Sequence, residues 1–223
     1  MTIIKNAAYA AAHSLSNQGL EIQRSLLSEV LAALLGYKTF AAYKTEKADT
    51  SLDYHLDDAE RLVLNQTLGL ARANELGLPD DVCKSCSEAL QQGVSIPVHA
   101  DLESFFEDYA REVLEDVISS GENTASEMAS SNATFPYAPD LEPKSVADSA
   151  PSETLWSAVR EWTFEATGTM EGEYDPDGDR FYNGHEVDVR GQLTFAKAGR
   201  AGLILLETDE GASLNVEGMY DDE

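Results

Sequence analysis

The chain has 223 residues, long enough for one or two domains with real cores, and its 43% hydrophobic and 8% aromatic content is that of a globular protein. Fifteen Lys and Arg stand against 41 Asp and Glu, a formal net charge of −26. Such a charge argues against direct binding to nucleic acid or an anionic membrane and favours cationic partners. It is unevenly placed: residues 1–48 carry +2, residues 49–100 carry −6 and residues 101–223 carry −22. No apolar run approaches the roughly 18 residues that would cross a bilayer. The start, MTIIKNAAYAAAHSLS, is too polar and too broken for a signal peptide, and two cysteines build no disulfide framework. A cytoplasmic protein is expected.

Residues 2–18 predict a first helix, with Ala7, Ala8, Ala11, Ala12 and Leu15 on one side and Asn17 and Gly19 at its end. The most strongly patterned stretch comes next. Ile22, Leu26, Leu27, Val30, Leu31, Leu34 and Leu35 recur at spacings of three and four, one buried helical face, and Gly36 stands where a left-handed cap closes a helix. Thr39 then caps a second helix that turns Phe40 and Tyr43 back onto the first. The three helices make a module of residues 1–47, in the size range of small helical DNA-binding domains. Through Leu26-Leu27, Leu34-Leu35-Gly36-Tyr37 and Phe40-Ala41-Ala42-Tyr43, about a fifth of the chain, it resembles a short N-terminal module of plasmid- and phage-borne bacterial accessory proteins, some described as glyoxalase-related. The resemblance implies a mobile-element origin and carries no catalytic residue.

After a polar break at residues 46–51, a helix is expected over 57–76, and a shorter one, capped by Asp80, to about residue 92. Residues 101–118 pattern as an amphipathic helix with Leu102, Phe105, Phe106, Tyr109, Val113 and Val117 inward. Its outer face stacks Glu103 over Glu107, and Asp108 over Glu112 over Asp116, with Arg111 relieving part of the repulsion. Like charges at this spacing cost roughly 0.2–0.5 kcal/mol per pair, which a cationic partner would relieve; a solvated face is the plain alternative. Residues 119–152, rich in Ser, Ala, Pro and Asn, read as a linker, with Phe135, Pro136 and Tyr137 free to dock.

Beyond residue 152 the period changes to two. Trp162, Phe164, Ala166, Gly168, Met170, Gly172 and Tyr174 alternate with Glu161, Thr163, Glu165, Thr167, Thr169, Glu171 and Glu173, a long strand with an acidic outer face. Further strands are expected near 186–197, 202–209 and 212–219, broken at Ala198-Gly199-Arg200 and Glu210-Gly211. The expected fold class is α+β: an N-terminal all-helical part, then a C-terminal antiparallel β-meander. Four segments result, namely the 1–47 module, an acidic helical region over 48–118, the 119–152 linker and a β domain over 153–223.

Cys83 and Cys86 form a CxxC near a helix start, but the βαβ context of a redox pair and further zinc ligands are missing, with His99 the nearest imidazole. Asp175, Asp177, Asp179 and Glu186 match part of a calcium loop, yet Arg180 stands where the turn needs Gly, and the flanks are strand-like, so a hairpin turn is the simpler reading. GxSxG, GxxxxGK[ST] and GxGxxG are absent. These patterns lead to no cofactor and to a non-enzymatic, acidic interaction protein with a basic, nucleic-acid-handling partner, in the manner of DNA-mimic inhibitors of restriction or CRISPR systems. Its binding surface would comprise Glu103, Glu107, Asp108, Glu112 and Asp116, together with Glu161, Glu165, Glu171 and Glu173. Two alternatives stand beside it: a helix–turn–helix regulator touching phosphates through Lys38, Lys44 and Lys47, and a metal protein or enzyme using the cysteines or the 175–186 loop.

Overall fold

The computed structural model describes residues 3–144, 154–178 and 186–215. The chain divides into two compact units. The first comprises Met1–Phe105, Glu153–Trp162 and Phe195–Leu205; the second comprises Phe106–Ser152, Thr163–Thr194 and Leu206–Glu223.

In the first unit, α1 (Ile3–Asn17) buries Ile4, Ala7, Ala8, Ala11 and Leu15, the stripe its spacing predicts. Helix α2 (Arg24–Leu34) buries Leu27, Val30, Leu31, Ala32, Ala33 and Leu34, so its second half is enclosed on every side. It packs against α1, α3 (Phe40–Lys47), α4 (Gln66–Glu75) and α5 (Asp80–Gly93). Gly36 takes φ 84°, and the amides of Gly36 and Tyr37 return to Ala33 and Ala32 at 2.9 Å, closing α2 as expected. Thr39 Oγ1 accepts from the Ala42 amide at 3.1 Å and starts α3. The three-helix module shares its core with residues far along the chain: Cys83, Cys86, Leu90, Ala198 and Ala201 belong to the same buried cluster as Leu27 and Leu31.

The helix expected over 57–76 is shorter than its pattern suggested. A 3₁₀ turn at Leu56–Asp58 leads into β1 (Arg61–Val63), and the helix begins only at Gln66, where Asn65 Oδ1 accepts from Leu68 N at 2.9 Å. Leu62, Val63 and Leu64 are all fully buried, which needs apolar surroundings on both faces of the chain and suits a strand. β1 pairs in parallel with β2 (Val98–His99), Leu62 opposite Val98, and antiparallel with the start of β8 (Gly202–Leu214), Arg61 opposite Leu203. Strands therefore also occur between the helices, and the helices-then-strands order holds only in part. The first segment of this unit ends at the single turn α6 (Leu102–Phe105).

The second unit opens on a π-helical turn, Phe106–Ala110, that runs into α7 (Arg111–Ser120). The buried residues are Phe106, Ala110, Leu114 and Ile118, whereas Val113 and Val117, expected inward, are only half-buried. The π turn explains the change. It adds one residue to a turn, so every later position rotates by about 100° and the inner face passes from 109/113/117 to 110/114/118. Helix α8 (Glu122–Ser130) and strands β3 (Ala133–Thr134) and β4 (Asp140–Pro143) lie within the stretch expected to be a linker; residues 145–152 of it lie outside the described residues. Tyr137 is exposed, its hydroxyl donating to Glu173 Oε1 at 3.4 Å.

β5 (Glu161–Glu171) shows the predicted alternation, burying Phe164, Ala166 and Met170. It pairs antiparallel with β4, from Asp140 opposite Thr169 to Pro143 opposite Ala166. β6 (Glu173–Tyr174) pairs with β3. β7 (Glu186–Ala198) turns Val187, Val189, Gly191 and Leu193 inward. A Cβ on Gly191 would lie 2.7 Å from Leu114 Cδ2 and 3.2 Å from Ile118 Cδ1, so only glycine lets α7 sit this close to the strand. Strand order in this unit is β8-β7-β5-β4. The expected break at Glu210-Gly211 does not occur, and β8 runs unbroken to Leu214. The Glu210 carboxylate accepts from Asn123 N at 3.0 Å and Thr124 Oγ1 at 2.9 Å, tying mid-strand to the start of α8. The coarse class is α+β with a mostly antiparallel sheet.

Candidate functional site

Division into units sharpens the charge distribution. Among the described residues, unit two holds 19 Asp and Glu against three Lys and Arg, −16, whereas unit one holds 15 against 11, −4. Of the acidic face expected on the 101–118 helix, Glu107, Asp108, Glu112 and Asp116 are exposed and belong to the second unit, and exposed Glu103 belongs to the first. They are not equivalent. Glu107 grips Arg111 with both oxygens, at 2.7 and 3.1 Å. Arg111 also lies 4.5 Å over the Phe106 ring and donates to Leu141 O at 3.3 Å, so this pair braces the π turn. On β5, Glu165 is held by Lys144 at 2.8 Å, while Glu171, on the same strand, and Glu173, on β6, are exposed; Glu161 is exposed in the first unit.

Cys83 and Cys86, the next of the sequence candidates, are buried on α5 as free thiols. Burial pushes Cys83 up, with Asp80 adding to it, and pushes Cys86 to about 12, with Cys83 adding. Desolvation thus outweighs the lowering effect of the helix N-terminus, and both thiols stay protonated at neutral pH. His99 packs edge-on against Phe105 at 5.5 Å. In the acidic loop, Asp175 Oδ1 accepts from the Asp177 amide at 3.1 Å and Asp175 O from Gly178 N at 3.2 Å, a hydrogen-bonded turn; Glu186 begins β7 and Asp179 lies outside the described residues. Among the described residues no group of three His, Cys, Asp or Glu is arranged to hold a metal ion. Lys38 is exposed, Lys44 sits 4.6 Å over the Phe40 ring and Lys47 pairs with Asp57.

A further cluster lies in the first unit, at the tight turn between β7 and β8. Gly199 takes φ 68° there, and a Cβ on it would lie 2.6 Å from the Tyr37 hydroxyl. That hydroxyl donates to Glu46 Oε1 and accepts from the Arg200 amide at 3.2 Å, and Arg200 Nε lies 3.4 Å from Glu46 Oε2. Arg200 also donates to Trp156 O and Ser157 O, and Trp156 Nε1 donates to Val63 O at 3.0 Å. Burial, then the Glu46 carboxylate, holds the Tyr37 phenol far above its ordinary value. Beneath this network lies Lys197, 4% exposed, its Nζ donating to Arg200 O at 2.9 Å. Burial first, and Arg200 next, lower its amine to about 7, against an opposing pull from Glu46. The only local signal for this site is one cation inside the small, apolar run Phe195-Ala196-Lys197-Ala198 ahead of a Gly-Arg turn. No protein-family model, curated protein or solved structure matches the chain.

Proposed function

We propose that the protein is a non-enzymatic, acidic interaction protein of mobile-element type whose second unit occupies the nucleic-acid-binding surface of a basic host defence protein, of the restriction or CRISPR kind. The observation that carries this reading is the segregation of charge, −16 on the described residues of the second unit against −4 on those of the first. DNA presents about one negative charge per 1.7 Å of axis, and proteins that grip it carry matching tracks of Lys and Arg. Carboxylates held on a regular helix and strand compete for such tracks without the ordering cost of a disordered acidic tail. Asp108, Glu112 and Asp116 on the helix, with Glu171 and Glu173 beyond it, are the binding residues of this reading; Glu107 is better understood as a brace for the π turn.

The test immobilises the full chain, passes host lysate over it and elutes first with double-stranded DNA and then with salt. The expected eluate is a basic nucleic-acid-handling protein displaced by DNA, and lost from the variant Asp108→Asn, Glu112→Gln, Asp116→Asn. Capture that neither DNA nor these three substitutions diminishes would overturn the reading.

A further inference from the structure

We propose that Lys197 is a carbamylation site, at which its side-chain amine reversibly binds carbon dioxide in a small cavity of the first unit. The geometry supplies what that reaction needs. A cavity of about 30 Å³ adjoins Lys197, bounded by Leu52, Ala158 and Val159 on its apolar side and by Glu46 and Arg200 on its polar side. Its size suits a molecule of a few atoms. Carbon dioxide is apolar and enters such a space without losing strong hydration, whereas bicarbonate or phosphate would shed a costly shell.

Only an unprotonated amine reacts, and burial lowers this one to about 7, so a substantial fraction is unprotonated near neutral pH. The nitrogen lone pair attacks the carbon, an N–C bond forms, and one C=O electron pair moves onto oxygen. The nitrogen then gives a proton to solvent, leaving Lys197 as a carbamate anion; nothing is oxidised or reduced. The change of sign matches the surroundings. Burial disfavours either charged form, but at Nζ the influence of Arg200 exceeds the opposing influence of Glu46, so the nearby charges favour an anion over an ammonium. Lys197 Nζ retains its hydrogen bond to Arg200 O in the neutral form, which fixes the amine at the cavity edge.

The experiment uses the full chain equilibrated with ¹³C-bicarbonate near pH 7.5, followed by alkylative trapping of carbamates with a trialkyloxonium salt and peptide mass spectrometry. Trapped label is expected on Lys197 and at least tenfold less on any of the other six lysines. Glu46→Gln, which removes the opposing carboxylate, is expected to raise the labelled fraction in a folded protein. Absence of label on Lys197 in the wild type, or labelling no greater than that of exposed Lys5 and Lys38, would overturn the proposal. The wild-type result decides alone, so a poorly folding variant leaves the outcome intact.

Discussion

At Lys197 the folded chain holds an amine whose proton affinity lies well below that of the same amine in the unfolded chain, and folding is thereby linked to pH. The native pKa is lowered to about 7 and the unfolded value is 10.5. Between these values the unfolded state binds the extra proton, so stability rises as pH rises from about 7 and is lost as pH falls through that window. The whole effect is on the order of 5 kcal/mol at about 1.4 kcal/mol per pKa unit. Cys86, pushed to about 12 from 9.0, has the opposite sign and erodes stability above about pH 9, as does Tyr37 above about pH 10. The clean window is therefore pH 7 to 8.5. Denaturant titrations there should show the wild type gaining stability with pH and Lys197→Met, which keeps the volume and removes the charge, losing most of that slope. An equal slope in both proteins would mean that Lys197 is protonated in the fold.

At the scale of elements, the π turn between α6 and α7 decides which side of the helix is core. Leu114 and Ile118 are fully buried, and Leu114 reaches the open face of Gly191, whereas Val113 is half-buried. Leu114→Ala should cost about 2–5 kcal/mol, the range for emptying a packed leucine site, and Val113→Ala less than about 1 kcal/mol. Regular α-helical geometry through 106–110 would reverse that order, so paired melting curves discriminate the two. The same turn shows why sequence pattern carries only so far. The α2 stripe, the Thr39 cap, the Gly36 closure and the alternation along β5 are legible because each depends on neighbours within a few positions. The π turn, the strand at 61–63 and the unbroken β8 depend on distant partners: Arg111 bracing against Leu141, Leu62 pairing with Val98, and Glu210 receiving the start of α8. Local spacing is blind to all three. Lys197 escapes the pattern for a related reason, since burial of a lone cation at a hairpin results from Tyr37, Glu46 and Trp156 arriving from elsewhere in the chain.

At the scale of the whole molecule, the second unit holds −16 on its described residues with only three compensating cations among them. Among the described residues its ion pairs include Arg111 with Glu107, Lys144 with Glu165 and Arg190 with Asp209, all on partly exposed side chains. Exposed pairs of this kind contribute about 0–1 kcal/mol each, too little to offset the repulsion among the remaining carboxylates. Screening should therefore help this protein more than it harms it. Raising sodium chloride from about 10 mM to about 300 mM shortens the Debye length from about 30 Å to under 8 Å and damps repulsion between exposed charges. The melting temperature is expected to rise, and hydrogen exchange should slow more at β4, β5 and α7 than at α1, α2 and α5, because the described residues of the first unit carry only −4. Uniform slowing would mean that the repulsion is spread through the chain. A basic partner acts in the same sense as salt but with fixed charges at fixed positions, so the strain that salt relieves non-specifically is free energy available to a binding surface of complementary shape. The larger the salt stabilisation of the second unit, the more of that partner's affinity should vanish at the same ionic strength.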